Sequence, residues 1–195
     1  MFEQLNINIF NVINQFAGNN FVLDKLMISF AEASPYVFIL FLIYLWFQRL
    51  EDKNIVLYAT YSATLGIIIN FIIALFYFHP RPFMDGIGTN LVKHVSESSF
   101  PSDHTTFIFS IALLLLYYQS RKKSERILLV LAIVAGVARV YTGVHYPFDI
   151  FGAFFVALFS SFIVFSLKEK MQKINNFFID IYFKVIKYFK LENLK

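Results

Sequence analysis

The sequence predicts an all-α membrane protein: a polytopic membrane helix bundle of about five transmembrane helices, with an N-terminal interfacial helix and a C-terminal amphipathic helix. Of its 195 residues, 58% are hydrophobic and only 15% are charged, whereas a soluble domain usually carries about 25% charged residues. The hydrophobic residues are gathered into runs, and a helix needs roughly 20 apolar residues to cross a bilayer. Both observations favour one polytopic membrane domain over a soluble protein with very hydrophobic helices.

Five apolar runs define the predicted spans. They cover residues 26–48, 55–78, 104–119, 127–144 and 149–167. Glu32 and Pro35 interrupt the first span near its outer end. The strictly apolar part of the third span, Phe107 to Tyr118, is short. We therefore expect this helix to begin at an internal site rather than at the lipid surface.

Two amphipathic segments flank the spans. Residues 6–20 contain six asparagines, but their apolar side chains recur at helical spacing, which predicts a short interfacial helix. The first 24 residues lack Lys and Arg, which argues against a cleaved signal peptide. Residues 168–195 are predicted to form a basic amphipathic tail on the inner leaflet, following a membrane domain over residues 1–167. The absence of cysteine excludes disulfides and thiolate chemistry.

The basic residues predict an orientation, because cytoplasmic loops of membrane proteins are enriched in Lys and Arg. One set of connections and the tail hold 13 of the 17 basic residues; the other side and its helix ends hold Lys25, Arg81, Lys93 and Arg139. This places the N-terminus outside and the C-terminus in the cytoplasm. The loop from His79 to Asp103 and the turn near His145 then face outward.

Polar residues collect in three short segments on the predicted outward side. The segments are His79 to Phe83, Phe100 to His104, and Ala138 to Asp149. Taken singly, one residue of each segment has a non-catalytic explanation: Arg81 could extend to the membrane interface, His104 could cap a helix, and Arg139 could bind a lipid phosphate. Three such segments at adjacent span ends favour one functional site, because ionisable groups near a bilayer are costly.

These side chains suit phosphoryl transfer, which needs stabilisation of negative charge together with a nucleophile and a leaving group in line. Arg81 and Arg139 offer planar forks for phosphate oxygens. Ser102 and the amides that open the third span can bind an anion.

Two histidines are the candidates for nucleophile and general acid. His145 and Asp149 are four residues apart, so the carboxylate can orient the imidazole if the last span begins near His145. His104 stands apart and can protonate a departing oxygen. One histidine is expected to attack and the other to protonate.

A divalent metal is the alternative centre. The candidate ligands are His79, His94, His104, His145, Asp85, Glu97, Asp103 and Asp149. They include no close ligand pair, and two arginines in the same place would repel a cation. We therefore expect neither a metal nor another cofactor.

The three segments resemble the motifs of the type 2 phosphatidic-acid phosphatase superfamily, which also includes vanadium haloperoxidases and glucose-6-phosphatase. The resemblance covers roughly residues 55–167. The family pattern is Lys, six residues and Arg-Pro; then Pro-Ser-Gly-His; then Ser-Arg, five residues, His, three residues and Asp. The resemblance implies a phosphohistidine on His145, oriented by Asp149, with His104 as general acid. It also implies that Arg81, Ser102 and Arg139 hold the phosphate.

Three positions depart from that pattern. The lysine position falls on Ala74, Asp103 replaces the glycine, and Ala138 replaces the serine before Arg139. Lys93 or His79 are candidates to replace the lysine. Asp103 is expected to be a helix N-cap.

Within the superfamily, the strings RPFM at 81–84 and SFPSDHTT at 99–106 are similar to the bacitracin-resistance type of undecaprenyl-diphosphatase. This resemblance implies hydrolysis of undecaprenyl diphosphate, which recycles the carrier for peptidoglycan synthesis at the bacterial plasma membrane. The alternatives are a phosphatase for phosphatidylglycerol phosphate or phosphatidic acid, and a non-hydrolytic transporter or lipid-phosphate binder. The expected partners are the lipid substrate and membrane lipids, with no nucleic acid and no obligate protein.

Overall fold

The computed structural model describes residues 1–118 and 122–189, and within them the chain is helical, without a strand. Its helices are α1 (Phe2–Asn14), α2 (Phe21–Trp46), α3 (Leu50–Phe76), α4 (Asp103–Tyr118), α5 (Lys122–Tyr141) and α6 (Pro147–Tyr188). Each of the five predicted spans falls on one of the helices α2 to α6, which confirms the all-α prediction. Gln119, Arg121 and residues 190–195, which the predictions included, lie outside the described residues.

The described helices differ in their capacity to cross a membrane. By length and composition, α2, α3 and α6 are long and apolar enough to do so. Helix α4 has 16 residues and begins at Asp103, inside the polar cluster rather than at a lipid surface. Helix α5 has 20 residues, of which the first turns are charged.

Helix α6 differs from the predicted span and separate tail, because it runs without a break for 42 residues. At 1.5 Å per residue it is about 63 Å long, roughly twice the hydrocarbon thickness of a bilayer. Its second half packs against α3 rather than lying apart as a surface helix. The Tyr58 hydroxyl donates to the Lys168 carbonyl at 2.7 Å, and Asn175 donates to Asn54 at 3.0 Å.

Helix α1 packs with two of its asparagines, Asn6 and Asn14, inward, which the amphipathic pattern did not predict. Asn6, Phe10 and Asn14 form its buried face. The Asn14 amide donates to the carbonyls of Thr89 and Tyr141, at 2.9 and 2.8 Å, and its oxygen accepts from the Thr89 amide. Asn14 therefore fastens α1 to the α3–α4 loop and to the end of α5.

The two ends of the bundle are chemically different. The α3–α4 loop and the α5–α6 turn meet at one end, where the Leu91 amide donates to the Thr142 carbonyl at 3.0 Å. Gly143 adopts a φ of +79°, and a Cβ there would strike the Thr89 carbonyl, so this close approach requires glycine. At the other end, Lys53 donates to the Trp46 carbonyl and lies over the Tyr182 ring. The polar segments therefore share one end, and the α2–α3 connection lies at the other.

A seam of small residues lets α3, α4 and α6 approach closely. Gly66 of α3 is buried opposite Thr106 and Ser110 of α4, and Ser110 lies 3.2 Å from Ser160 of α6 between hydroxyl oxygens. Small and hydroxyl-bearing residues support close helix packing in membranes, where apolar burial alone gives little specificity.

We predict that Gly66→Leu destabilises the bundle by about 1–3 kcal/mol, because overpacking a dense core displaces its neighbours. A Cβ at Gly66 would already lie 2.8 Å from Thr106 Cγ2 and 2.9 Å from Ser110 Oγ. The measurement is the thermal midpoint of the detergent-solubilised protein. Ala74→Leu, on an exposed position of the same helix, is the control and should leave the midpoint unchanged; equal midpoints for both variants would contradict this packing.

Candidate active site

The predicted site residues gather at the end of the bundle where the α3–α4 loop and the α5–α6 turn meet. Five of them are almost fully buried: Arg81, Ser102, Arg139, His145 and Asp149. They come from the loop, the start of α4, the end of α5, the turn and the start of α6. Two guanidinium groups, an imidazole and a carboxylate are thus withdrawn from solvent together, an expensive arrangement unless each has partners.

Asp149 orients His145 through the start of α6. The sequence predicts that the carboxylate orients the imidazole if the last span begins near His145; helix α6 instead begins at Pro147, two residues after His145. Asp149 lies three residues after the N-cap Tyr146, and its Oδ2 accepts from the Tyr146 amide at 2.8 Å. The same oxygen lies 3.3 Å from His145 Nδ1. A helix cap therefore fixes the carboxylate that holds the imidazole.

The contacts also fix the tautomer of His145. Its Nε2 lies 3.2 Å from Arg81 NH1. Arginine can only donate, so Nε2 is the acceptor and the proton resides on Nδ1, facing Asp149. Burial lowers the pKa of His145 to about 3; Asp149 raises the pKa, and the charges of Arg139 and Arg81 lower it. His145 is accordingly neutral near pH 7, with a lone pair on Nε2.

Each arginine is held by a glutamate and keeps buried N–H groups without a partner among the described residues. Arg81 NH2 donates to Glu97 Oε1 at 3.1 Å, and Arg139 NH1 donates to Glu32 Oε1 at 2.8 Å. The unpartnered atoms are Nε of Arg81 and both Nε and NH2 of Arg139. Buried guanidinium N–H groups of this kind suit the oxygens of a phosphate.

Comparison with known proteins identifies the family. Residues 55–173 match the model of the PAP2 superfamily. Undecaprenyl-diphosphatase BcrC of Bacillus subtilis is 32% identical over 183 residues, covering 93% of this chain and 94% of the relative. The chain belongs to the PAP2 superfamily.

Other relatives differ in name and extent. Putative undecaprenyl-diphosphatase YbjG of Escherichia coli is 34% identical, covering 78% of this chain and 77% of the relative. Phosphatidylglycerophosphatase B of Bacillus subtilis is 32% identical over 89 residues, covering 41% of this chain and 44% of the relative. The crystal structure of Aquifex aeolicus LpxE has a TM-score of 0.71 and 27% identity, covering 83% of this chain and 95% of that one. The protein is a membrane lipid phosphatase of the PAP2 superfamily.

Ser99 is a site residue of this PAP2 phosphatase that sequence reasoning did not single out. Its buried hydroxyl donates to Asp149 Oδ2 and lies 3.2 Å from His145 Nδ1. Its amide donates to the His79 carbonyl at 2.7 Å. Ser99 begins the string SFPSDHTT, but the sequence does not indicate a contact with Asp149, which only the folded loop reveals.

His79 contacts the other oxygen of Asp149. Its Nδ1 lies 3.4 Å from Asp149 Oδ1, and its Nε2 lies 3.8 Å from Glu3 Oε2 of α1. Interaction with Asp149 raises the pKa of His79, against the lowering effect of burial, and Glu3 and Asp85 raise it further. His79 thus lies against the carboxylate that orients His145, while Lys93 is exposed in the α3–α4 loop and Ala74 is exposed on α3.

The start of α4 carries the remaining predicted residues. Asp103 is the first helical residue rather than the expected N-cap, and its carboxylate accepts from Asn70 of α3 at 2.8 Å. His104 is partly buried, with its ring centroid 6.5 Å from that of His94 in the loop. His94 Nδ1 lies 3.8 Å from Glu97 Oε1, the oxygen that Arg81 also contacts, so a second imidazole lies near that arginine. Burial and the charges of Arg81 and Arg139 lower the pKa of His94.

We predict that Ser99→Ala lowers kcat by about tenfold to a hundredfold, because a hydrogen bond to a charged group contributes roughly 1.5–3 kcal/mol. Phosphate release under saturating substrate is the measurement. Ser98→Ala is the matched control, because that hydroxyl donates only to backbone carbonyls. Equal rates in the two variants would show that Ser99 does not support Asp149.

We also predict that His79→Asn moves the acid limb of the pH–kcat profile to lower pH. The pKa of His79 is raised, so its imidazolium is present below that raised value and is lost above it. If His145 is the nucleophile, as the sequence predicts, the His79 cation weakens it by competing for the charge of Asp149. Asparagine has no charge and cannot produce this effect. An acid limb unchanged from wild type would exclude His79 as its source.

Proposed function

We propose that this PAP2 phosphatase hydrolyses undecaprenyl diphosphate to undecaprenyl phosphate through a phosphohistidine on His145. The observation that carries the proposal is the geometry of His145, whose Nδ1 lies 3.3 Å from Asp149 Oδ2 and whose Nε2 lies 3.2 Å from NH1 of the buried Arg81. The carrier lipid is suggested by the relative named undecaprenyl-diphosphatase, which matches nearly the whole chain at 32% identity.

In the proposed first step, His145 Nε2 attacks the terminal phosphorus and the bond to the bridging oxygen breaks. Arg81, Arg139, Ser102 and the first amides of α4 stabilise the charge that develops on the equatorial oxygens. His104 gives its proton to the bridging oxygen, so that undecaprenyl phosphate departs. Asp149 stabilises the imidazolium form of His145 that results.

In the second step, water attacks the phosphohistidine. His104, now neutral, takes a proton from that water, and inorganic phosphate leaves as the P–N bond to His145 breaks. Both histidines return to their starting states. The two guanidinium groups supply fixed positive charge, and no step in this scheme requires a metal ion.

We further propose that the site faces outward from the bacterial plasma membrane, with the C-terminus in the cytoplasm. Most basic residues lie in the predicted inner connections and the tail. The α2–α3 connection and the second half of α6 lie together, at the opposite end from the catalytic cluster. A site on the outer face could receive a diphosphate left on the outer leaflet.

A glycerolipid phosphate is the second candidate substrate. Phosphatidylglycerophosphatase B matches part of the chain at 32% identity, and the arginine grip suits any terminal phosphate. In this case the same His145 chemistry would act on a monoester.

We predict that detergent-solubilised protein releases phosphate from undecaprenyl diphosphate in excess EDTA, and that His145→Ala abolishes the release because no nucleophile remains. Parallel assays with farnesyl diphosphate, phosphatidylglycerol phosphate and phosphatidic acid rank the substrates. Higher kcat/KM on a glycerolipid phosphate would select the second candidate. Near-wild-type turnover in His145→Ala would overturn the mechanism, and the absence of release from every lipid would favour a non-hydrolytic binder.

A further inference from the structure

A carboxylate from outside the family-matched region contacts one of the phosphate-binding arginines. Glu32 is the only charged residue between Ile28 and Trp46 of α2, and α2 precedes residues 55–173, which match the superfamily. Its Oε1 accepts from Arg139 NH1 at 2.8 Å. A lone ionisable residue in an apolar helix is costly and calls for a functional explanation.

Pro35, the other irregularity of α2, supplies a second acceptor for the same nitrogen. Proline lacks an N–H, so Pro35 leaves the carbonyl four residues earlier, that of Ala31, without its usual helical donor. Arg139 NH1 lies 3.4 Å from this Ala31 oxygen. The two features that interrupt the first apolar run thus converge on one atom of Arg139.

The geometry of the guanidinium shows what this arrangement does. With NH1 engaged by Glu32 and the Ala31 carbonyl, the opposite edge is formed by Nε and NH2. Both atoms are buried and have no hydrogen-bond partner among the described residues. That edge presents two parallel N–H groups, the pattern that binds two oxygens of one phosphate.

We infer that Glu32 and the Ala31 carbonyl freed by Pro35 form a clamp on α2 that positions Arg139 and directs its Nε–NH2 edge at the transferred phosphate. Glu32 is a positioning residue, because it acts through Arg139 rather than on the substrate. The clamp also makes α2 a part of the active site. The inference rests on the proposed attack at a bound phosphate but not on the identity of the lipid.

The test compares Glu32→Ala, Glu32→Gln and wild type in two assays. The kinetic assay measures kcat/KM on farnesyl diphosphate and the Ki of orthovanadate. Glu32→Ala should lower kcat/KM and raise the Ki of orthovanadate, each by about tenfold or more, because a misplaced phosphate contact is costly in a transition state. Glu32→Gln keeps an oxygen acceptor for NH1 and should remain within about threefold of wild type.

Tyr141→Phe distinguishes positioning from simple helix packing. The Tyr141 hydroxyl donates to Asp24 of α2 at 2.7 Å, so it also ties α5 to α2 but without touching Arg139. Tyr141→Phe should lower the thermal midpoint and leave the orthovanadate Ki unchanged. If Tyr141→Phe weakened orthovanadate inhibition as much as Glu32→Ala does, the inference would be overturned. Wild-type kinetics in Glu32→Ala would also overturn it.

Pro35→Ala tests the second acceptor, because alanine restores an amide that competes for the Ala31 carbonyl. Orthovanadate inhibition should weaken by about threefold, and an unchanged Ki would remove Pro35 from the clamp. If Glu32→Ala does not fold, Glu32→Asp replaces it. The shorter side chain of aspartate keeps the charge but moves the carboxylate oxygen away from Arg139 NH1. Wild-type kinetics in Glu32→Asp would then overturn the clamp.

A binding assay without substrate separates this inference from the proposed function. Orthovanadate should raise the thermal midpoint of the wild-type protein, since a ligand that binds only the folded state stabilises it. That shift should be lost in Glu32→Ala and retained in Glu32→Gln. A wild-type protein that binds orthovanadate but cleaves no lipid would refute the proposed activity and leave the clamp intact; an equal shift in Glu32→Ala would refute the clamp itself.

Discussion

The buried carboxylate of Asp149 is the constraint on which the site depends. Desolvating a carboxylate costs several kcal/mol unless donors surround it. Here the donors come from separate parts of the chain: the Tyr146 amide at the helix cap, the Ser99 hydroxyl from the α3–α4 loop, and His145 from the turn. His79 of the same loop lies 3.4 Å from the other carboxylate oxygen. The long loop must therefore close over the start of α6, and that closure brings Arg81 to His145.

Helix α1 holds the remainder of the α3–α4 loop. Asn14 of α1 bonds to both the loop and the end of α5, and Glu3 of the same helix lies near His79. The N-terminal helix therefore does more than rest at an interface, because it restrains the segment that carries Arg81 and Ser99.

Hydropathy and polar motifs predicted the helical bundle and the candidate residues, because apolar runs and clustered ionisable groups are local properties of a sequence. Other features depend on folding that no local pattern records. The inward face of α1 includes Asn6 and Asn14. In the sequence these residues look like interruptions of an apolar face, and only the structure shows their backbone partners. Ser99 looks like its neighbouring serines, and α6 continues past Leu167 because no glycine or proline stops it and α3 offers polar partners.

The motif lysine shows how the site distributes charge. With alanine at position 74, the fixed positive charge that the described residues place near His145 comes from two arginines, each of which donates to a glutamate. These glutamates offset the cost of burying the guanidinium groups. Among the described residues they leave Nε of Arg81 and both Nε and NH2 of Arg139 without a partner. Because guanidinium is planar, fixing one edge also fixes the direction of the other. In the proposed mechanism, a site that lacks the motif lysine therefore relies on Glu32 to hold Arg139 with its Nε–NH2 edge toward the phosphate.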